Sequence, residues 1–174
     1  MNRLEIIFEQ TKDAYNWTNR LLDSIPTTSW DTTPSTINSN ITWQTGHLIV
    51  SFYYHSIMVI SGHQMDILKR IPIKNYDTLF TSADPKNAIG QTAPNQLWDH
   101  LILMQNRSLE IIGSMSETDL DCKLEPGQHA HPIAKNKFEA LDWNIKHTMW
   151  HCGQMSIIKR IINERYDFGL QKKE

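Results

Sequence analysis

The stretch Asn136-Lys137-Phe138-Glu139-Ala140-Leu141-Asp142-Trp143-Asn144-Ile145-Lys146-His147-Thr148-Met149-Trp150-His151-Cys152-Gly153-Gln154 decides the fold. Asn136 followed by Glu139 resembles a capping box with Asn in place of Ser or Thr, and predicts a helix from 136 to about 165. At about 100° per residue, Glu139, Asp142, Lys146, Arg160 and Glu164 share a sector of roughly 60°, which is the solvated face. His147 and His151 lie roughly 110° and 150° from the centre of that sector, on the buried half with Asn144 and Ile162. One turn separates the two histidines, so their Cβ atoms stand about 5–6 Å apart, a spacing that two bonds to one metal ion can close.

A helix with one buried face needs partners, and the rest of the chain supplies three. Leu4, Ile7, Phe8, Tyr15, Leu22 and Ile25 recur at helical spacing until Pro26, giving a helix over 2–24. A second runs over 42–61 and stops at Gly62, which can take the left-handed conformation that closes a helix. Thr92 and Pro94 open a third over 94–114, with Leu97, Leu101, Met104, Ser108 and Ile111 on one stripe. Between them lie a Thr/Ser/Asn/Pro-rich loop at 26–41, an irregular connection at 62–93 holding one short helix at Gln64 to Arg70, and a polar link at 117–135 with Pro126-Gly127 and Pro132. No β-alternation of useful length occurs. The reading is all-α: one domain over 1–174, a four-helix bundle with two crossover-length links.

The 174 residues carry 17 Lys and Arg against 19 Asp and Glu, a net charge of −2, and the basic residues are scattered. A phosphate backbone would find no footprint, so nucleic acid is not an expected partner. Residues 32–65 contain no Asp, Glu, Lys or Arg, and Trp43 to Gly62 is apolar enough to suggest a membrane span. Gln44, Thr45, His47, Ser51, His55 and Ser56 argue against it and for a buried central helix. The N-terminus lacks the apolar run of a signal peptide, so cytoplasmic residence and no membrane association are expected. Cys122 and Cys152 show no CxxC spacing; both read as reduced thiols, Cys152 as core.

His47 sits one turn into the second helix, with Val50, Ser51, Tyr54 and Met58 on its stripe. Read alone it is a core histidine bonded to a hydroxyl; joined to His147 and His151 it becomes the third ligand of a site with an open position. His55 lies about 80° from His47, too far around for one ion to bind both. His100 reads as a partly exposed residue or an outer ligand, His63 as a partner of a helix C-terminus, and His129 and His131 as loop residues with no settled role. Tyr54, Asn144 and Gln154 are the polar candidates for catalytic work beside the metal, Gln154 by bonding a ligand histidine, a substrate or a buried carbonyl. Trp17, Trp30 and Trp98 look exposed and suit either a homodimer face or a pocket lining.

Thr42-Trp43-Gln44-Thr45-Gly46-His47-Leu48, followed about a hundred residues later by His147, His151, Gly153-Gln154-Met155 and Arg160, resembles the DinB/YfiT-like superfamily over most of the chain. The resemblance implies a bundle of up-down-down-up topology in which His47, His147 and His151 bind a divalent metal, commonly zinc or nickel. It also implies a small-molecule substrate. Some members transfer or isomerise with a low-molecular-weight thiol such as bacillithiol or mycothiol, a glutathione-like co-substrate; others are described as metal-dependent hydrolases.

Three functions are therefore expected candidates: a thiol S-transferase, a metal-dependent hydrolase, and a non-enzymatic metal- or ligand-binding bundle. The second helix and the neighbourhood of His147 and His151 offer no Glu or Asp as a general base. That favours thiol transfer, in which a metal lowers the thiol pKa and generates the nucleophile itself.

Overall fold

The computed structural model describes residues 1–127 and 130–169. The Asn2 side chain accepts the Glu5 amide while the Glu5 carboxylate accepts the Asn2 amide, and this capping box starts α1 (Arg3–Asp23). Asn40 caps α2 (Ile41–Phe52), its side-chain oxygen accepting from the Trp43 amide at 2.8 Å. The helix runs on through a wider π-helical stretch (Tyr53–Met58) and a last α turn (Val59–Ser61), and Gly62 at φ 79° ends it as expected.

The connection after Gly62 departs from expectation. It is helical for most of its length: α3 (Met65–Arg70), α4 (Ile73–Asp77), a second π-helical turn (Thr78–Ser82) and a 3₁₀ turn (Pro85–Ala88). Such pieces are too short to be stable alone. Burial of Ile67, Ile71, Ile73, Tyr76 and Phe80 holds them, and α4 and the turn that follows it pack directly on α2.

The remaining long helices are α5 (Pro94–Ser114) and α6 (Lys137–Ile162). α6 ends before 165, because the buried Lys159 ammonium turns to Asn163 Oδ1 and the Glu164 carbonyl, and the chain leaves helical geometry at Asn163. Its N-terminus is capped by Asn136, but Glu139 accepts the Lys135 amide at 2.7 Å instead of closing a box with Asn136. α1 packs against α5 and α6, and α2 packs against the same two helices. Tyr15 of α1 also meets Phe52 of α2 with ring centroids 4.6 Å apart.

The buried side chains form one contiguous cluster drawn from all four long helices and the α3–α4 connection. No strand occurs among the described residues. An antiparallel bridge between Lys123 and Asn136, with the Lys137 amide donating to the Cys122 carbonyl at 3.0 Å, pins together the two ends of the link before α6. Trp30 proves to be core rather than surface: it is 2 % exposed and its indole N–H donates to the Ile25 carbonyl. Trp17 and Trp98 are half-buried. No helix among the described residues is long and apolar enough to cross a membrane.

Gly46 fixes how closely the α3–α4 connection approaches α2. A Cβ there would lie 2.3–2.5 Å from three atoms of the Phe80 ring, so only the absence of a side chain admits that ring. Gly46→Ala is expected to lower stability by about 1–3 kcal/mol through overpacking, read as a lower urea midpoint with an unchanged slope. Gly153→Ala, where nothing lies within 4 Å of the new Cβ, should not lower the midpoint.

Candidate metal centre

Each histidine of the expected triad comes from a rigid element: His47 from α2, and His147 and His151 from the middle of α6. Their ligand nitrogens all lie within 4.8 Å of one another. His147 Nε2 and His151 Nε2 are 3.0 Å apart, and the His47 ring is 4.6 Å from that of His151 and 5.3 Å from that of His147.

The surrounding hydrogen bonds decide which nitrogens carry lone pairs. His47 Nδ1 is 2.9 Å from the Phe80 carbonyl, which can only accept, so the proton sits on Nδ1 and Nε2 is free. Gln44 is buried, and its amide nitrogen donates to Ser39 Oγ at 2.8 Å and to Gln154 Oε1 at 2.9 Å. Its oxygen is therefore the atom facing His151 Nδ1 at 2.5 Å, and His151 also places its proton outward and its Nε2 lone pair inward. Gln154 thus acts one step removed, by orienting Gln44.

Two tryptophans hold the rings from the side. Trp43 stacks on His47 at 5.0 Å and 12°, and Trp143 on His147 at 5.5 Å and 23°, each tryptophan four residues before its histidine. Neither indole is marked as a site residue by the sequence alone, although both sit at the spacing that brings side chains together on a helix.

Burial dominates the electrostatics. Desolvation, followed by the neighbouring His47, lowers His147 to about 4; desolvation, then His47 and His147, lowers His151 to about 2. Desolvation also lowers His47, opposed by its bond to the Phe80 carbonyl and by Asp77. All three are neutral imidazoles at pH 7, the protonation state a metal requires.

The donor set fits a divalent ion. His151 Nε2 turns its lone pair toward His147 Nε2 at 3.0 Å, a separation that either an N–H of His147 or a shared cation accounts for. Nitrogens that share one zinc at about 2.0–2.1 Å stand roughly 3.3 Å apart in tetrahedral geometry. Three neutral histidines accept zinc, nickel, copper and iron alike.

His47 and His147 open onto a cavity of about 480 Å³, whereas His151, only 6 % exposed, is not among the residues that line it. Val50, Met58, Val59 and Trp143 give the cavity an apolar wall, and Ser51, Tyr54, His55, Asp77, Thr81 and His131 its polar groups. No Lys or Arg is among the described residues that line it. Asp77 is the carboxylate that the sequence does not place near the histidines; it arrives from α4, in a link without helical periodicity. Tyr54 faces the cavity with its phenol pKa raised by burial and then by Asp77.

Other expected residues lie elsewhere. Asn144 is buried behind the site, where its amide donates to Tyr15 Oη at 3.0 Å in a network that continues to Ser108. His100 pairs with Tyr76 Oη, and His63 with Tyr53 Oη, both away from the triad. Cys152 is core, and burial raises its thiol pKa. His129 lies outside the described residues. His55 reaches the cavity because the π-helical turn rotates less per residue than an α turn, swinging it back toward the stripe of His47.

Comparison with known proteins agrees with this architecture. The sequence profile of the DinB superfamily matches residues 10–155. A crystal structure of a conserved protein of locus from Enterococcus faecalis superposes with a TM-score of 0.69 at 14 % identity, covering 93 % of this chain and 98 % of that one. At that identity the likeness is one of fold. No curated protein matches the chain.

Because the folded-state histidine pKa values lie below the ordinary value of 6.5, the unfolded chain binds more protons between that value and the folded ones. Metal-free protein is expected to be most stable above pH 6.5 and to lose stability steadily as pH falls toward 4. Thermal melts across this range check it, and a His147→Gln/His151→Gln double variant should show a flatter slope. Gln44→Leu, which removes the acceptor of His151, should weaken zinc binding by about 10–100-fold, measured by chelator competition.

Proposed function

The chain belongs to the DinB superfamily, and from that premise we propose that it is a divalent-metal-dependent enzyme that transfers a low-molecular-weight thiol to an electrophile. The observation that carries this reading is the meeting of inward-facing nitrogens from His47, His147 and His151 at the wall of a partly apolar cavity. A divalent ion held there would supply Lewis acidity, lowering the pKa of a thiol bound beside it.

The chain's own residues account for the remaining requirements. Asp77, on the cavity wall, would accept the thiol proton, with Tyr54 in its electrostatic field. Val50, Met58, Val59 and Trp143 offer an apolar surface for the body of the electrophile and keep water from it. The absence of Lys and Arg from the described lining favours thiols with a neutral, hydroxyl-rich body, of the mycothiol kind, over those with several carboxylates, such as glutathione.

Hydrolysis is the second reading, and Asp77 is the observation that favours it. A carboxylate on the wall of the same cavity, close enough to act on His47, could serve as general base toward a water that a bound ion would make acidic. A binding role without chemistry would use the same cavity without turnover.

Metal-loaded protein incubated with several cellular thiols and a chlorinated nitroarene separates the readings. Transfer predicts thiol-dependent conjugation that His47→Ala reduces at least about 100-fold, whereas thiol-independent ester or amide cleavage would replace it with hydrolysis. Asp77→Asn divides them again. It should cost a transferase about 10-fold or less, because the ion already acidifies the thiol, and a hydrolase about 10²–10⁴-fold in kcat.

A further inference from the structure

His55 and His131 form a pair that the metal reading does not use. His55 belongs to the π-helical turn of α2, and His131 to the link that precedes α6. His55 Nδ1 and His131 Nε2 are 2.8 Å apart, and their rings meet edge to face with centroids 4.9 Å apart.

The proton positions in this pair follow from the backbone. The amides of Ala134 and Ile133 donate to His131 Nδ1 at 2.8 and 3.2 Å. An amide N–H can only donate, so His131 Nδ1 is the acceptor and the ring carries its proton on Nε2. That proton points at His55 Nδ1, which must accept it. His55 therefore keeps its own proton on Nε2, the nitrogen on the other side of the ring.

His55 lines the cavity and its ring stands 5.6 Å from that of His147. Its Nε2 has no hydrogen-bond partner among the described residues, and the residue lines the cavity. From the loop amides through His131 to His55, every N–H dipole points the same way, and each bond polarises the next.

We infer that His55 is a hydrogen-bond donor to ligands in this cavity and that His131 is the positioning residue that fixes its proton on Nε2. The ligand atom it receives is an acceptor held beside the triad, a carbonyl, alkoxide or thiolate. Asp77, also on the cavity wall, receives donors instead, so the site recognises a ligand by one acceptor and one donor position. The link that carries His131 is tied to the helix that carries His55. In it the Glu125 amide donates to the Val59 carbonyl at 2.8 Å, and Lys137 pairs with Glu125 at 3.1 Å. This inference rests on reading the cavity as a ligand site next to a metal, but the proton assignment does not.

Long-range proton–nitrogen correlation of the histidine rings in ¹⁵N-labelled, metal-free protein tests the assignment directly. His55 and His131 should both be neutral with the proton on Nε2; a proton on His55 Nδ1 would overturn the inference. His131→Ala should release His55 into a mixture of tautomers, while His131→Gln, which keeps an N–H donor near the same place, should preserve Nε2–H. If His131→Ala does not fold, the wild-type spectrum and His131→Gln decide.

The second arm uses cobalt-substituted protein titrated with azide and followed by visible absorption. His55→Phe should weaken azide about 10–100-fold at unchanged cobalt stoichiometry, the loss of one hydrogen bond to a charged ligand; His55→Gln should recover most of it. Azide affinity within about twofold of wild type in His55→Phe would overturn the donor role. Failure of the wild type to bind cobalt would overturn the metal reading instead, and the ring-nitrogen spectrum still decides the tautomer of His55.

Discussion

The hydrogen bond between His151 Nδ1 and Gln44 Oε1 joins α2 to α6 at the level of the triad, and the rest of the site depends on it. Gln44 spends both amide hydrogens on Ser39 and Gln154, so a flip would set its oxygen against the Gln154 Oε1, acceptor against acceptor. A flipped amide would also press a second donor against His151, forcing its proton to Nε2 and removing the lone pair that faces the other histidines. One buried side chain therefore sets the register of two helices and the chemistry of a ring. The bond from His47 to the Phe80 carbonyl does the same on the other side, and it exists because Gly46 lets Phe80 lie against the helix backbone.

What the sequence could reveal was whatever repeats along a helix. The charge-free run from 32 to 65 predicted a central helix, and α2 is buried against α5, α6 and the α3–α4 connection. The separation of His147 and His151 from the charged face of α6 predicted that they point inward, and His151 is almost fully buried. The same arithmetic contained a signal left unread: Trp43 precedes His47, and Trp143 precedes His147, by one turn. Both pairs stack, so the aromatic wall of the site was as periodic as its ligands.

Features that break the periodicity stayed out of reach. A π-helical turn has no marker in the residues Tyr53 to Met58, and the α wheel, which kept His55 from sharing an ion with His47, gave no sign that it lines the cavity. The α3–α4 connection is made of helices that tertiary burial alone sustains, so neither Asp77 nor the Phe80 carbonyl could be placed beforehand. Asn144 shows the opposite limit. The wheel put it on the buried half with His147, and there it is, but on that half a hydrogen-bonded core amide and a cavity residue look alike until Tyr15 is seen beside it.

The division of labour among the three histidines follows from what stands behind each ring. His47 and His151 have acceptors on Nδ1 and are held in one tautomer; His147 is held by Trp143 through its face. A stacked ring keeps more freedom to turn in its own plane than one fixed by a short hydrogen bond. His47 and His147 both border the cavity, His147 next to His55, whereas His151 is nearly fully buried and does not line it. Of the two histidines that face the cavity, the one with more freedom is thus the one beside His55. The cavity is faced by one adjustable ring, His147, beside one held in a fixed tautomer, His47, with the equally fixed His151 buried next to both.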